Sequence, residues 1–64
     1  MLSPREKECV QLLAQGYRTQ QIAEKLLLKE VTVHLYIRNA RKKLNANTRA
    51  HLAVIAVMEN HIEL

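Results

Sequence analysis

The segment KEVTVHLYIRNARKKL, residues 29 to 44, contains two overlapping patterns of apolar and polar positions. Its first half alternates as a half-buried strand does, but a second set of apolar residues recurs at spacings of four, three and four, as on one face of a helix. That set is Val33, Ile37, Ala40 and Leu44. A lone strand would leave its backbone groups unpaired, and no other segment alternates in this way. The pattern therefore predicts a helix over residues 30 to 44.

A first helix is predicted over about residues 4 to 15. Ser3 can accept a hydrogen bond as the N-terminal cap, Pro4 suits the first helical position, and Glu6 completes a capping box. Gly16 is expected to end the helix, because the left-handed backbone conformation that follows a helix costs least at glycine. The apolar face of this helix is supplied by Cys9, Val10, Leu12 and Leu13.

A second helix is predicted over about residues 19 to 27, with Thr19 as a candidate cap. Ile22, Ala23 and Leu26 share one helical face. The connector around Lys29 is short, and the helix from residue 30 follows it at once. Two helices joined by so tight a connector are typical of a helix-turn-helix.

The turn Asn45-Ala46-Asn47 precedes a fourth helix over about residues 48 to 60, which either Asn47 or Thr48 can cap. The centre of this helix, LAVIAVM, is apolar on every side, although a helix at the edge of a small domain needs only one apolar face. The excess indicates contact with a second surface, such as another copy of the chain. Alternatively, a core without large aromatic residues wraps its last helix deeply. The overall prediction is an all-α four-helix bundle forming a single domain over residues 1 to 64.

Composition limits the classes of protein that this chain can represent. A chain of 64 residues buries only about 60% of its unfolded surface, so its stability is modest. A single cysteine forms no internal disulfide, which favours a cytoplasmic protein. The start of the chain turns polar at once and the longest apolar run has seven residues, so neither a signal peptide nor a membrane span is predicted.

The chemistry of an enzyme is not apparent in the sequence. Cys9 lies on the apolar face of the first helix and is best interpreted as a small core residue. His34, His51 and His61 lack the spacing of metal ligands, and there is no paired carboxylate or glycine-rich phosphate loop. We therefore expect no catalytic residue, no metal and no cofactor.

Positive charge is concentrated in one part of the chain. The net charge is +4, and residues 31 to 49 hold five basic residues and no acidic residue. These are Arg38, Arg41, Lys42, Lys43 and Arg49. Such a block favours a surface that binds phosphates, although a solvated basic face is an equally simple explanation of charge alone. Arg41, Lys42 and Lys43 lie late in their helix and suit phosphates better than bases, because recognition helices read bases with their N-terminal part.

The segments LSPREKECVQLLAQG, QQIAEKLLLKEVTVHLYIRNARKKL and NANTRAHLAV together resemble the LuxR-type (LuxR/FixJ) helix-turn-helix DNA-binding domain of bacterial transcription regulators. The resemblance covers about residues 2 to 60. It implies a four-helix fold whose third helix enters the major groove and whose fourth helix makes a dimer contact. It also implies a C-terminal output domain behind a sensing domain in a longer regulator.

The resemblance implies a role for each matched position. Base contacts fall on His34, Leu35 and Arg38, and phosphate contacts fall on Thr19, Thr32, Tyr36, Lys42 and Arg49. A dimer interface on the fourth helix would include Val54, Val57, Met58 and His61. Among the base contacts, Arg38 suits guanine and Leu35 suits a thymine methyl group. Double-stranded DNA and a second copy of the chain are therefore the expected partners, with RNA polymerase as a further one.

The sequence departs from the family pattern at several positions. Lys29 stands where a Ser or Thr usually caps the third helix, which removes a cap worth about 1 kcal/mol. Gln21 replaces a usual Glu, and Asn45 replaces a usual Gly. His34 and Leu35 replace a more polar pair, which changes the expected DNA sequence rather than the mode of binding.

Sequence-specific DNA binding for transcription regulation, in the bacterial cytoplasm at the nucleoid, is the function that this sequence predicts. The main alternative is a helical protein-interaction or dimerisation module that never binds DNA. The basic block argues against that alternative. A promoter element like that of a sigma factor, or an RNA-binding domain, is a further alternative, but two aromatic residues offer little stacking surface for single-stranded RNA.

Overall fold

A computed structural model describes all residues from 1 to 64, and it contains four α-helices and no strand. The helices are α1 (Pro4–Ala14), α2 (Thr19–Leu26), α3 (Glu30–Leu44) and α4 (Arg49–Met58). The predicted all-α fold is confirmed, and α3 has the predicted bounds. The other three helices end one or two residues earlier than predicted.

The start and end of α1 follow from local chemistry. The Ser3 hydroxyl accepts from the backbone N–H of Glu6 at 3.2 Å, and the Ser3 N–H donates to the Glu6 carboxylate at 2.9 Å, which completes the predicted capping box. Gly16 has a φ of +99°. The chain then turns so that the Tyr17 N–H donates to the Leu12 carbonyl at 3.1 Å. An L side chain at Gly16 would be strained whatever the space around it.

The start of α2 differs from the prediction, because Arg18 rather than Thr19 is the capping residue. The side chain of Arg18 accepts no hydrogen bond. Instead the Gln21 carboxamide folds back and accepts from the Arg18 N–H at 2.9 Å. The helix ends at Leu26, and the next residue, Leu27, has a left-handed φ of 57°. Three residues, 27 to 29, therefore separate α2 from α3, as in a helix-turn-helix.

The residues at both ends of α3 and at the start of α4 have the capping behaviour that the sequence predicts. Lys29 precedes α3 without any side-chain cap. Asn45 closes α3 with a φ of 56°, a conformation that Asn tolerates better than most residues. Thr48, rather than Asn47, caps α4: its hydroxyl accepts from the His51 N–H at 3.0 Å.

α3 lies at the centre of the domain and contacts each of the other three helices. Its inward side consists of Val33, Ile37 and Ala40, all of which are buried. They meet buried residues of the other helices: Cys9, Val10, Ile22, Ala23, Leu52 and Ala56. Because this stripe occupies one side of α3, the opposite side of the same helix is held towards solvent.

Cys9 takes no part in chemistry at the surface. Its side chain is completely buried, as the sequence analysis expected of a core residue. Burial, with a smaller contribution from the Glu8 carboxylate, raises the pKa of the Cys9 thiol to about 11. The thiol is therefore protonated and unreactive at neutral pH.

α4 is anchored by Leu52 and Ala56, but it is not wrapped on all sides. Val54 and Met58 expose 54% and 76% of their surface, so deep wrapping does not account for the excess of apolar residues. After α4 the tail returns over α1: Ile62 is buried, and the Gln11 carboxamide bonds both backbone groups of Glu63. None of the four helices combines the length and the apolar character that crossing a membrane requires.

Candidate nucleic-acid interface

The side of α3 that points away from the core forms a continuous exposed surface, which we call the outer face. It consists of Val31, His34, Leu35, Arg38 and Lys42. These residues are spaced by three or four along the helix, so they project from one side of it. Every one of them is exposed, because the buried stripe on the other side fixes the rotation of α3 about its axis.

Two cations of the outer face are unpaired within the chain. Neither Arg38 nor Lys42 makes an ion pair or a side-chain hydrogen bond, whereas Arg5 pairs with Glu8 and Lys43 pairs with Glu6. Both side chains line a polar cleft of about 240 Å³ at the C-terminal end of α3. Its other lining residues are Arg41, Asn45 and Ala46. Three positive charges around one open cleft form a site that suits an anion such as a phosphate.

Arg41 is the one of these three cations whose side chain makes a hydrogen bond within the chain. Its Nη2 donates to the Asn47 carbonyl at 2.7 Å, which ties α3 to the turn before α4. Its Nε is buried and has no hydrogen-bond partner within the chain. The hydrogen bond from Nη2 thus positions the guanidinium group, while its Nε–H donates to no group within the chain.

The N-terminal ends of three helices are joined by a chain of polar contacts. The Thr19 hydroxyl donates to the Glu30 carboxylate at 2.9 Å. The same carboxylate lies 3.5 Å from Nε2 of His34, and Nδ1 of His34 lies 2.6 Å from Nη2 of Arg49. Arg49 can only donate, so Nδ1 accepts and Nε2 carries the ring proton towards Glu30. Three predicted DNA contacts are therefore already engaged with one another.

Thr32 and Tyr36 flank the outer face and are half-buried rather than fully exposed. The Tyr36 ring packs against the hydrophobic core. Their predicted contacts with phosphates would be made at the border of the outer face.

Lys43 has a partner that the sequence analysis did not foresee. Its Nζ lies 2.7 Å from the Glu6 carboxylate, which is only 6% exposed. Burial alone would raise the pKa of Glu6, but hydrogen bonds from Lys43 and Ser3 outweigh burial and hold that pKa below its ordinary value. The ion pair locks the C-terminal half of α3 onto α1. It competes with the predicted role of Lys43 as a phosphate ligand.

A second candidate surface lies on α4, away from the outer face. An apolar depression of about 210 Å³ is lined by Ala14, Ala53, Val54, Val57 and Leu64. We call it the α4 depression. Met58 is exposed nearby on the same helix, whereas the His61 side chain is only 19% exposed and lies 3.3 Å from Glu59. Of the predicted interface residues, Val54 and Val57 thus line one continuous apolar surface.

Three residues of this region were not singled out as site residues from the sequence. Val31 belongs to the outer face, Glu30 holds both Thr19 and His34, and the Asn47 carbonyl positions Arg41. The position of Val31, four residues before Leu35, was a signal that could have revealed it. The contact of Glu30 with His34 could also have been predicted from their spacing of four, whereas no local signal marks its contact with Thr19 of α2.

The fold and the outer face define a helix-turn-helix domain, and comparisons with known proteins assign its family. Residues 1–56 match the family described as bacterial regulatory proteins, luxR family. The spore germination protein GerE of Bacillus subtilis is 36% identical over 64 residues, which cover 100% of this chain and 86% of that protein. Nodulation protein W of Bradyrhizobium diazoefficiens is 36% identical over 66 residues, covering 97% of this chain but 29% of that protein.

A solved structure gives the same result. The structure of the transcription factor GerE superimposes with a TM-score of 0.92 at 31% sequence identity, covering 97% of this chain and 92% of that chain. The chain belongs to the luxR family of bacterial regulatory proteins. It is a LuxR-type helix-turn-helix domain, of the class that binds DNA and regulates transcription.

Proposed function

We propose that this domain binds double-stranded DNA in a sequence-specific manner with α3 in the major groove. The observation that carries the proposal is the outer face itself, which presents Arg38 and Lys42 without any partner in the chain. An α-helix with its side chains is about 10–12 Å across, which matches the width of the major groove. When α3 enters the groove, the phosphates of the DNA would neutralise these two unpaired cations.

The residues of the outer face divide into base readers and phosphate ligands. We propose that Arg38 grips a guanine edge with two donors and that Leu35 contacts a thymine methyl group. Lys42 and Arg41, which line the polar cleft at the C-terminal end of α3, would hold a phosphate. Phosphates at the borders of the outer face would be contacted by Thr32, Tyr36 and Arg49. Before Thr19 and Lys43 could bind a phosphate, they would have to leave the carboxylates of Glu30 and Glu6, respectively.

We propose that His34 contacts a base edge only after its ring has left one of its present neighbours in the domain. Both of its ring nitrogens have neighbours in the free domain, one towards Arg49 and one towards Glu30. Reading a base edge therefore requires the ring to give up one of these contacts. For this reason we expect His34 to contribute less to specificity than Arg38.

We further propose that two copies associate through the α4 depression and bind an imperfect palindrome. Val54 and Val57 line an apolar depression that is open to solvent. Contact with RNA polymerase and a location at the nucleoid stay predictions. So does the role of C-terminal output domain, since Nodulation protein W is several times longer than this chain whereas the spore germination protein is of similar length.

The second candidate function is a protein-interaction module that acts through α4 alone. It is favoured by the same α4 depression, which would bind another apolar helix as well as a second copy. It leaves the unpaired cations of the outer face unexplained. The two functions make opposite predictions for binding to DNA.

The test is selection from a randomised duplex pool at near-physiological salt. Enrichment of a two-fold symmetric site would support specific binding by a dimer, and enrichment of a single half-site would support binding by a monomer. The matched control is Arg5→Ala, which removes one positive charge from α1 at a residue paired with Glu8. The control should select the same site as the unmodified domain. Failure to bind any duplex, even at low salt, would reject DNA binding in favour of the protein-interaction module.

A further inference from the structure

Val31 is an exposed apolar residue with no structural role within the domain. It exposes 69% of its surface on the first turn of α3, and Leu35 exposes 45% one turn later. Neither side chain belongs to the hydrophobic core or packs against it. One exposed apolar residue is ordinary in a small protein. Two of them four residues apart on the face proposed to enter DNA form a pair whose Cβ atoms lie roughly 5–6 Å from each other.

The two side chains share a cleft. Val31 and Leu35 supply its apolar walls, His34 and Arg38 supply its polar rim, and its volume is about 210 Å³. The cleft is larger than a methyl group needs and is open to solvent on one side. An occupant that enters from the outside would cover apolar walls and meet a cationic rim.

The chemistry of this cleft matches one feature of the major groove. Each base pair presents hydrogen-bond donors and acceptors there, and thymine alone adds an apolar group, its C5-methyl. A pair of branched aliphatic side chains gains nothing from the other base edges, which are polar and would lose water without a replacement. The positive rim at Arg38 is suited to DNA and not to a second apolar protein surface.

We propose that Val31 is a specificity-determining residue that, together with Leu35, forms a cleft for the 5-methyl group of a pyrimidine, and so selects thymine in each half-site. This inference rests on the proposed DNA binding and adds a residue to it. The cleft recognises the methyl group rather than the pairing face of the base. A 5-methylcytosine at the same position would therefore present the group that the cleft binds.

The test replaces thymine by deoxyuridine, which removes the methyl group and leaves the pairing unchanged. Each thymine of the selected half-site is replaced singly, and dissociation constants are measured by fluorescence anisotropy at constant salt. Burying a methyl group is expected to be worth about a three- to five-fold change in affinity. The unmodified domain should lose this factor at one or two positions. Val31→Ser should lose discrimination between thymine and deoxyuridine at one of them and bind the deoxyuridine duplex as the unmodified domain does.

The control is Leu27→Ser, which removes an exposed aliphatic side chain that lies outside both the outer face and the α4 depression. It should keep full discrimination against deoxyuridine. Circular dichroism should show that Val31→Ser remains folded, because its side chain makes no core contact, and Val31→Ala provides a second variant of higher helix propensity.

Three results would overturn the inference. If the unmodified domain selects a site but binds thymine and deoxyuridine equally at every position, the methyl cleft is wrong while DNA binding stands. If Val31→Ser and Val31→Ala discriminate like the unmodified domain and only Leu35→Ser does not, Val31 has no part in specificity. If no duplex is bound at all, the proposed function fails and the inference fails with it.

Discussion

Arg38 and Lys42 lie one helical turn apart on the outer face, and both side chains are exposed and unpaired. Their positions nevertheless imply different functions. Arg38 lies mid-helix beside the proposed methyl cleft, where we expect it to read a base, whereas Lys42 lies near the end of α3, where we expect it to contact a phosphate. Charge alone does not distinguish the two residues, but their depth along the helix does.

This difference predicts different responses to truncation. Arg38→Ala should reduce binding to the selected site by about 1–3 kcal/mol and relax the base preference at one position of each half-site. Lys42→Ala should weaken all duplexes alike and reduce the slope of log affinity against log salt by about one. Competition titrations with selected and scrambled duplexes at three salt concentrations measure both effects. Equal losses on both duplexes after Arg38→Ala would mean that Arg38 contacts only phosphate.

The ion pair between Lys43 and the buried carboxylate of Glu6 predicts a pH dependence of stability. Hydrogen bonds hold the pKa of Glu6 in the folded state below its ordinary value of 4.5. A lowered folded-state pKa stabilises the domain fully above that ordinary value, and the stabilisation is lost as the pH falls through the folded-state pKa. Glu6→Gln should cost about 1 kcal/mol at pH 7, since Lys43 is partly exposed. Its disadvantage should shrink as the pH falls below 4.5.

Urea unfolding between pH 7 and pH 3 measures this prediction. Glu8→Gln is the matched control, because it removes a carboxylate with a half-exposed, weak ion pair on the same helix. The control should change the free energy of unfolding by less than about 0.5 kcal/mol. Parallel pH profiles for Glu6→Gln and the unmodified domain would show that Glu6 does not titrate as inferred.

At the scale of the helices, the features that the sequence predicted correctly depend on residues close together in the chain. The apolar stripe of α3, the capping box at Ser3 and the left-handed turn at Asn45 all follow from residues within one or two turns of each other. Contacts between distant segments did not follow. Lys43 reaches Glu6 across 37 positions, and Gln11 reaches Glu63 across 52. A hydrophobic pattern defines which side of a helix is buried, but it does not specify which polar groups meet at the border.

The uncapped start of α3 predicts a stabilising substitution. Lys29 already has the extended backbone of a capping residue, with φ −75° and ψ 147°. Lys29→Ser would add an acceptor for the first turn and remove a positive charge from the positive end of the helix dipole. The expected gain is about 1 kcal/mol, or about 4–8 °C in Tm for a domain of this size.

Thermal unfolding followed by circular dichroism measures the gain. Lys7→Ser, at an exposed position inside α1, should instead lower the stability by a few tenths of a kcal/mol, because serine is a weaker helix former than lysine. The same loss for Lys29→Ser would show that residue 29 acts as an ordinary helix position and that α3 needs no cap.

At the scale of the whole molecule, the domain has two candidate interaction surfaces, the outer face on α3 and the α4 depression. Its principal dimensions are 27 × 21 × 19 Å. Two copies in contact therefore have centres about 19 to 27 Å apart, and each α3 can lie several ångströms further out. Recognition helices of a dimer on B-DNA must be about 34–36 Å apart, which is one helical turn. The proposed dimer therefore reaches this spacing only if each α3 lies on the side of its own copy that points away from the α4 depression.

The substitution Val54→Glu is the most direct test of association through the α4 depression. The Val54 side chain is 54% exposed, so a carboxylate there reaches water in the monomer and should leave its Tm nearly unchanged. In a dimer the same carboxylate is buried against apolar surface without a partner, which costs several kcal/mol. Sedimentation should show dissociation, and affinity should fall for a palindrome but not for a single half-site. Val57→Glu should act in the same way with some loss of stability, because Val57 is half-buried.

Leu27→Glu is the control for the added charge, because Leu27 is 92% exposed and lies outside the α4 depression. It should leave the association state unchanged. Concentration matters to this comparison, because association of two folded monomers follows mass action and DNA brings the two copies together. Sedimentation must therefore be carried out both with and without a palindromic duplex. If the unmodified domain sediments as a monomer even on that duplex, α4 is not the dimer interface, and the apolar surface at Val54 binds some other partner.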